Sequence, residues 1–346
     1  MPKIAKYAFD NGRKLIYALL FVSIMLLSAP AYAYDVLVGG QSLGIVLKSE
    51  GAVVVGFTPV KLSDGTEVYP AKEAGVKLED KLLAINGRPV SYNQEVADLV
   101  NELAADGEAI ELTLKRDAQE MQLEVEPKLC ADTGTYRLGL YIRDANAGIG
   151  TLTFYDPNTG NYAALGHQID EAGSAGKNGY GRVLAADVQY VESSRDGQPG
   201  EKVGVFDETH LNGTILKNCE LGIYGKLEQQ PENSLYPEPL PVAKADEVKP
   251  GPATIVTVLE GEELAEFAVE IERVMTQKHT ADKGMVIKVT DERLLAAAGG
   301  IVQGMSGSPI IQDGKLVGAV THVFVNDGAS GYGCFAEWML DETLSL

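Results

Sequence analysis

The sequence predicts a mainly β protein of two domains behind an N-terminal export segment, and three observations carry that prediction. Short runs of β-branched and aromatic residues recur along the chain between Gly-, Pro- and Asn-rich breaks, the pattern of strands joined by turns. The 346 residues are 45% hydrophobic and 23% charged, a soluble globular balance with room for two domains of ordinary size. The first 33 residues stand apart from this pattern. They carry Lys3, Lys6, Arg13 and Lys14 against one acid, Asp10, ahead of the uncharged run "LIYALLFVSIMLLSAPAYA".

That N-terminal layout, a basic region, an apolar stretch and the small-x-small end Ala31-Tyr32-Ala33, is that of a secretory signal. Leu15–Tyr34 is also long enough to cross a bilayer as an uncleaved anchor, at about 20 uncharged residues. Both readings export the chain. The net charge of −20 excludes duplex nucleic acid as a partner, because phosphate binding needs a basic face. Cys130, Cys219 and Cys334 are isolated, and the four histidines are scattered. Neither a disulfide framework nor a zinc site is indicated, and no cofactor motif occurs.

From Tyr34 to about Lys128 the elements read in order. "VVVGF" (Val53–Phe57) and "DKLLAING" (Asp80–Gly87) are strands, the second closing in an Asn-Gly turn. "SYNQEVADLVNEL" places Val96, Leu99, Val100 and Leu103 on one helical face. "IELTLKR" and "MQLEVEP" alternate about "DAQE", a hairpin. With "GQSLGIVL" (Gly40–Leu47) and "PAKEAGVKLEDKLLAINGRPV", this stretch resembles a PDZ domain. The resemblance implies a carboxylate-binding loop at Ser42, Leu43, Gly44 and Ile45. It also implies a groove lined by Leu99 or Val100 that takes a peptide C-terminus or an internal peptide as an added strand.

Residues 129–346 hold further strand-like runs, among them "TLTFY" (Thr151–Tyr155), "RVLAADVQYV" (Arg182–Val191), "ATIVTVL" (Ala253–Leu259) and "GMVIKVT" (Gly284–Thr290). They predict an all-β barrel or sandwich. Glu228–Pro252, too proline-rich for a central strand, reads as a long surface connection. "QGMSGSPI" sets Ser306 between glycines, which lets the backbone turn sharply enough to aim N–H donors at an oxyanion. A serine nucleophile also needs a base, and "NYAALGHQI" delivers His167 from a strand into a loop.

"GMSGSPI" followed by "GKLVGAVTH" resembles the nucleophile segment of trypsin-like serine proteases. Its pairing with "GIGTLTFYDPNTGNYAALGHQI" and "VTDERLLAAAGG" resembles the SpoIVB peptidase family over essentially the whole chain. The resemblance implies an N-terminal membrane-crossing segment (1–33), a PDZ domain (34–128) and a trypsin-like double β-barrel (129–346). It implies Ser306 as nucleophile, His167 as base and Asp291 as the orienting acid, with an oxyanion hole from the N–H groups of Gly304 and Ser306. The site of action would be the space between forespore and mother cell. There such enzymes cleave a membrane-associated regulator of an intramembrane protease, leading to a late sigma factor, and also cleave themselves.

Asp291 has a second reading from the residues alone. Asp followed by "ERLLAAAGG" is a helix N-cap with a glycine stop. Asp187 and Asp207, 20 and 40 residues after His167, compete for the acid's role. His210, His279 and His322 read as structural or surface residues, and Ser308 as a turn or pocket residue. A functional alternative is a PDZ adaptor on a catalytically inactive protease-like barrel.

Overall fold

The computed structural model describes residues 34–47, 51–90, 93–104, 108–143, 146–169, 181–195, 197–277 and 279–346. The signal-or-anchor expectation for residues 1–33 lies outside them. Among the described residues no helix is long and apolar enough to cross a membrane. Strand takes up 53% of the described residues and helix 10%, so the mainly β expectation holds.

The chain begins with β1 (Asp35–Val38) and β2 (Ser42–Leu47). Strand β2 is buried at all six positions, as an uncharged Ser-Leu-Gly-Ile-Val-Leu run permits. A small sheet follows: β3 (Ala52–Phe57), β6 (Lys81–Ile85), β8 (Ile110–Arg116) and β9 (Gln119–Val125), with β7 (Arg88–Pro89) beside β6. Between β3 and β6 lie the ribbon of β4 (Val60–Lys61) and β5 (Glu67–Val68) and the single-turn helix α1 (Pro70–Glu73).

Asn86 and Gly87 both take left-handed φ, 46° and 73°, as the tight turn into β7 requires. Asp117 and Ala118 do the same, at 48° and 66°, so the β8–β9 turn is two residues long, shorter than "DAQE" suggested. Helix α2 (Asn93–Leu103) lays Val96, Leu99 and Val100 on Leu82, Ile85, Ile110 and Leu112. Asp80, 1% exposed at its side chain, takes both Arg116 Nε (2.7 Å) and Nη2 (2.6 Å) and ties the β6 end to β8.

After the hairpin β10 (Lys128–Leu129) and β11 (Tyr136–Arg137), β12 (Leu140–Arg143) runs antiparallel to β3 and completes the small sheet. The first barrel then closes from β13 (Asn146–Tyr155), β14 (Asn161–Ala164), β17 (Gly222–Leu227), β16 (Glu201–Cys219), β15 (Gly181–Glu192) and β2, the β13–β14 pairing sealing the ring. Residues 228–250 form only β18 (Leu240–Pro241), which pairs with β1. They are not a loose connection, however. Buried Asn233 donates to the carbonyls of Val38 (3.1 Å) and Gly39 (2.7 Å), so the segment is a strap over the barrel's start.

The second barrel is closed in the order β19 (Gly251–Val258), β20 (Leu264–Val274), β21 (Met285–Val289), β24 (Asp327–Phe335), β23 (Lys315–Phe324), β22 (Pro309–Gln312). Helix α3 (Glu292–Ala298) links β21 to the loop before β22, and α4 (Ala336–Leu344) ends the chain segment. Ile255, Ile271, Met285, Ile287 and Val320 are among its fully buried core.

The sheets do not divide at residue 128. Strand β2 from ahead of the small sheet belongs to the first barrel, with β1 paired to that barrel's β13, and β12 from behind it belongs to the small sheet. Each strand suits its place. Strand β2 is apolar on both faces and fills a barrel wall, whereas β12 leaves Tyr141 exposed at a surface edge.

Candidate active site

Ser306 sits in the loop between α3 and β22, which is held at nearly every peptide. Met305 N–H donates to Val302 O, Ser308 N–H to Met305 O and Gly307 N–H to Val320 O. Gly304 and Gly307 have φ of 91° and 95°. At Gly307 a Cβ would fall 2.0 Å from Thr151 O and 2.5 Å from Leu165 N, so only glycine lets the loop dock on the first barrel. Thr151 completes the docking: its N–H donates to Ser306 O (2.9 Å) and its hydroxyl to Gly304 O (2.7 Å).

The peptide between Gln303 and Gly304 is pinned as well. Lys202 N–H holds the Gln303 carbonyl at 2.9 Å, which turns the Gly304 N–H the opposite way. Among the described residues neither the Gly304 nor the Ser306 N–H has a hydrogen-bond acceptor. Two free, fixed donors flanking a serine are what a tetrahedral oxyanion needs.

His167 follows β14 through Leu165 and Gly166, both left-handed at φ 71°. A leucine in that region is strained, and such strain persists where the surroundings enforce it. Here Gly166 packs so closely on the second barrel that a Cβ would meet Thr321 Cγ2 at 2.9 Å and Cys334 Sγ at 3.0 Å. The turn places His167, Gly304 and Ser306 on one cleft of about 420 Å³, walled by Ile45, Gly148, Ile149 and Ile169.

His167 Nδ1 lies 2.8 Å from Gln168 O. With Nδ1 donating there, Nε2 keeps its lone pair, and it has no hydrogen-bond partner among the described residues. The Ser306 hydroxyl donates to Thr321 O at 2.8 Å, so the serine–histidine bond is not made in this state. The His322 ring lies 4.8 Å from that of His167, with its Nδ1 3.6 Å from Asp282 Oδ2. Burial, then the neighbouring His167, lowers the His322 pKa against the pull of Asp282.

Among the described residues Asp291 makes no hydrogen bond or ion pair with His167. It is the N-cap of α3: Oδ1 accepts from Arg293 N–H (2.9 Å) and Nε (3.0 Å), while Oδ2 accepts from Arg293 Nη2 (2.8 Å) and Ala268 N–H (3.2 Å). Arg293 above all holds its carboxyl well below the usual range. The capping reading of "DERLLAAAGG" is the one realised, with Gly299 left-handed at the stop. Asp187 lies on β15 and Asp207 on β16. His279 is exposed, His210 lies on β16, and Ser308 is buried. The acid that approaches the histidine pair is Asp282, which sequence reasoning did not single out.

The peptide groove also moves. Ser42, Leu43, Gly44 and Ile45 lie within β2, paired on one edge to β13 and on the other to β15. No edge is left for a peptide, and Gly44 is required by packing, since a Cβ there would sit 2.5 Å from the Phe206 ring. The groove of the small sheet opens instead between α2 and β12. It holds about 380 Å³ and is lined by Val96, Val100 and Asn101 from the helix and by Leu138, Gly139 and Leu140 opposite. Gly139 is left-handed at 72°. Ala71 and Thr58 N–H hold the carbonyls of Leu138 and Gly139, turning the amides that follow the opposite way. Leu99 and Val100 both belong to the core of the small sheet, and Val100 also lines this groove. The signal that could have found it is "RLGLYIR" (Arg137–Arg143), which repeats the Leu-Gly-apolar pattern of "SLGIVL".

A family model described as SpoIVB peptidase S55 matches residues 134–340, and one described as PDZ domain matches residues 42–126. A Treponema pallidum (strain Nichols) protein named "Putative zinc metalloprotease" is 29% identical over 85 residues, which are 25% of this chain and 18% of that relative. The chain thus spans less than a fifth of that relative's length.

Proposed function

The chain belongs to the SpoIVB peptidase S55 family, a family of serine peptidases, and from that premise we propose that it is an exported serine endopeptidase with Ser306 as nucleophile and His167 as base. The observation that carries the proposal is a single cleft holding Ser306, the N–H groups of Gly304 and Ser306, and His167 Nε2, with both N–H groups and Nε2 unbonded among the described residues.

The chemistry runs from those groups. A rotation about the Ser306 side chain releases Thr321 O and turns the hydroxyl to His167. Oγ attacks the scissile carbonyl as Nε2 takes its proton, and the oxyanion falls to the N–H groups of Gly304 and Ser306. The imidazolium returns the proton to the leaving amine, and water then repeats the sequence on the acyl-enzyme. The Gln168 carbonyl holds Nδ1–H and so keeps the tautomer in which Nε2 is the base.

The substrate we propose is a membrane-associated regulatory protein in sporulation signalling, together with the chain itself. The basic-then-apolar N-terminus supports export across the cytoplasmic membrane, and the family suggests the space between forespore and mother cell as the place of action. The groove between α2 and β12 supports docking of an extended peptide. One observation favours an inactive adaptor, the Ser306 hydroxyl engaged by Thr321 O. The two readings part in one experiment: mass spectrometry of self-cleavage products from the purified chain and from Ser306→Ala. Products from the first alone support the peptidase, and identical patterns refute it.

A further inference from the structure

Beneath the nucleophile loop lies a lysine that the reaction above does not use. Lys202, on β16, is 4% exposed. Its Nζ donates to Thr257 Oγ1 (2.8 Å) and Ser42 Oγ (3.1 Å), and lies 3.5 Å from Thr151 Oγ1. The groups facing the amine are therefore hydroxyls from β19, β2 and β13, with Gly304 above. No carboxylate, imidazole or second cation reaches it among the described residues, and its strand neighbour Glu201 is exposed. Such a cation is costly to bury without a counter-charge, which marks the position.

Three contacts join Lys202 to the oxyanion site. Its backbone N–H sets the Gln303–Gly304 peptide. Its stem is the floor under Gly304, where a Cβ would meet its Cβ, Cγ and Cδ at 3.0 to 3.1 Å. Its amine neighbours the Thr151 hydroxyl that holds Gly304 O at 2.7 Å. We propose that Lys202 is a positioning residue for the oxyanion hole, fixing the Gly304 peptide from below and supplying the positive charge that the forming oxyanion would otherwise lack. The inference rests on Ser306 being the nucleophile. Burial pushes the amine down to about 7, so the charge is present below that pH and lost above it.

A fluorophosphonate probe tests this without knowledge of the natural substrate. Ser306 Oγ bonds to phosphorus, the phosphorus–fluorine bond breaks, fluoride leaves and the hydroxyl proton passes to His167. The adduct's oxygen occupies the oxyanion hole. Labelling rates of the purified chain are measured from pH 5.5 to 9 beside Lys202→Met, Thr257→Val and Ser306→Ala.

We expect wild type to label with an alkaline fall near pH 7 and Ser306→Ala not to label. Lys202→Met should label roughly 10- to 100-fold more slowly at the wild-type optimum, a fraction of the loss for a direct donor, and lack the alkaline fall. Its melting temperature should be equal or higher, which a purely structural lysine would not give. Thr257→Val, which removes a partner of the ammonium without touching Gly304, should move the alkaline fall to lower pH even if Lys202→Met fails to fold. Unchanged rates and pH profiles in both variants overturn the proposal while leaving the nucleophile intact. A wild type that labels no faster than Ser306→Ala overturns the nucleophile reading, and this inference with it.

Discussion

Lys202→Met should raise the stability of the protein, and by an amount that depends on pH in a way the structure dictates. Methionine keeps most of the stem that packs under Gly304 and removes the amine. In the folded chain, desolvation brings that amine from its ordinary 10.5 to about 7. Below pH 7 it is charged in both states, and wild type bears the full cost of the buried charge. Between pH 7 and 10.5 only the unfolded chain holds the proton, so wild-type stability rises with pH, at up to about 1.4 kcal/mol per unit. Over the whole window this amounts to about 5 kcal/mol, and methionine has no such slope. Urea unfolding of both proteins at pH 6, 7, 8 and 9 reads the difference, in which the other titrating groups cancel. The variant's advantage should be greatest at pH 6 and shrink by about 2 to 3 kcal/mol from pH 7 to 9. Parallel stability curves would refute the reasoning, since they would mean that the amine reaches water or a carboxylate.

Ser306→Ala should leave the melting temperature within a few degrees while self-cleavage falls by roughly 10⁴-fold or more. Gly307→Ala should be worse for folding than for chemistry alone, because a Cβ 2.0 Å from Thr151 O forces the loop off the first barrel; we expect a loss of about 2 to 4 kcal/mol, read by urea unfolding. Asp291→Ala should cost about 1 kcal/mol through the lost cap together with the charge-dependent contact to Arg293, whereas Asp291→Asn keeps the cap acceptor and should lose only the second part. The carboxyl's lowered pKa gives stability that is full above the usual carboxylate range and lost as acid protonates it, so the Ala penalty should fade at low pH. Fluorophosphonate labelling of Asp291→Asn reads its catalytic weight separately: a wild-type rate fits the capping geometry, and a loss of orders of magnitude assigns it to the triad. Ala97→Asp, at an exposed position lining the groove, should weaken binding of peptides with apolar C-termini, followed by fluorescence anisotropy, and leave labelling of Ser306 unchanged.

Much of this protein is written locally. Alternating and apolar runs set the strands, Asn86-Gly87 its turn, the spacing of Val96 and Val100 the helix, and "DERLLAAAGG" a capped helix, because each depends on neighbours within a few residues. The glycines flanking Ser306 and the loop carrying His167 were legible for the same reason. Partner choice was not. "SLGIVL" and "RLGLYIR" offer the same pattern, and only long-range pairing sends the first into a barrel wall and leaves the second as the open edge of the groove. Nor does spacing reveal that Asp291 is bound by Arg293 while Asp282 reaches His322, or that Lys202 lies under Gly304. Those contacts join residues from tens to more than a hundred positions apart, or choose between two uses of one carboxylate. Burial and hydrogen-bond geometry decide them, and these exist only once both barrels have closed.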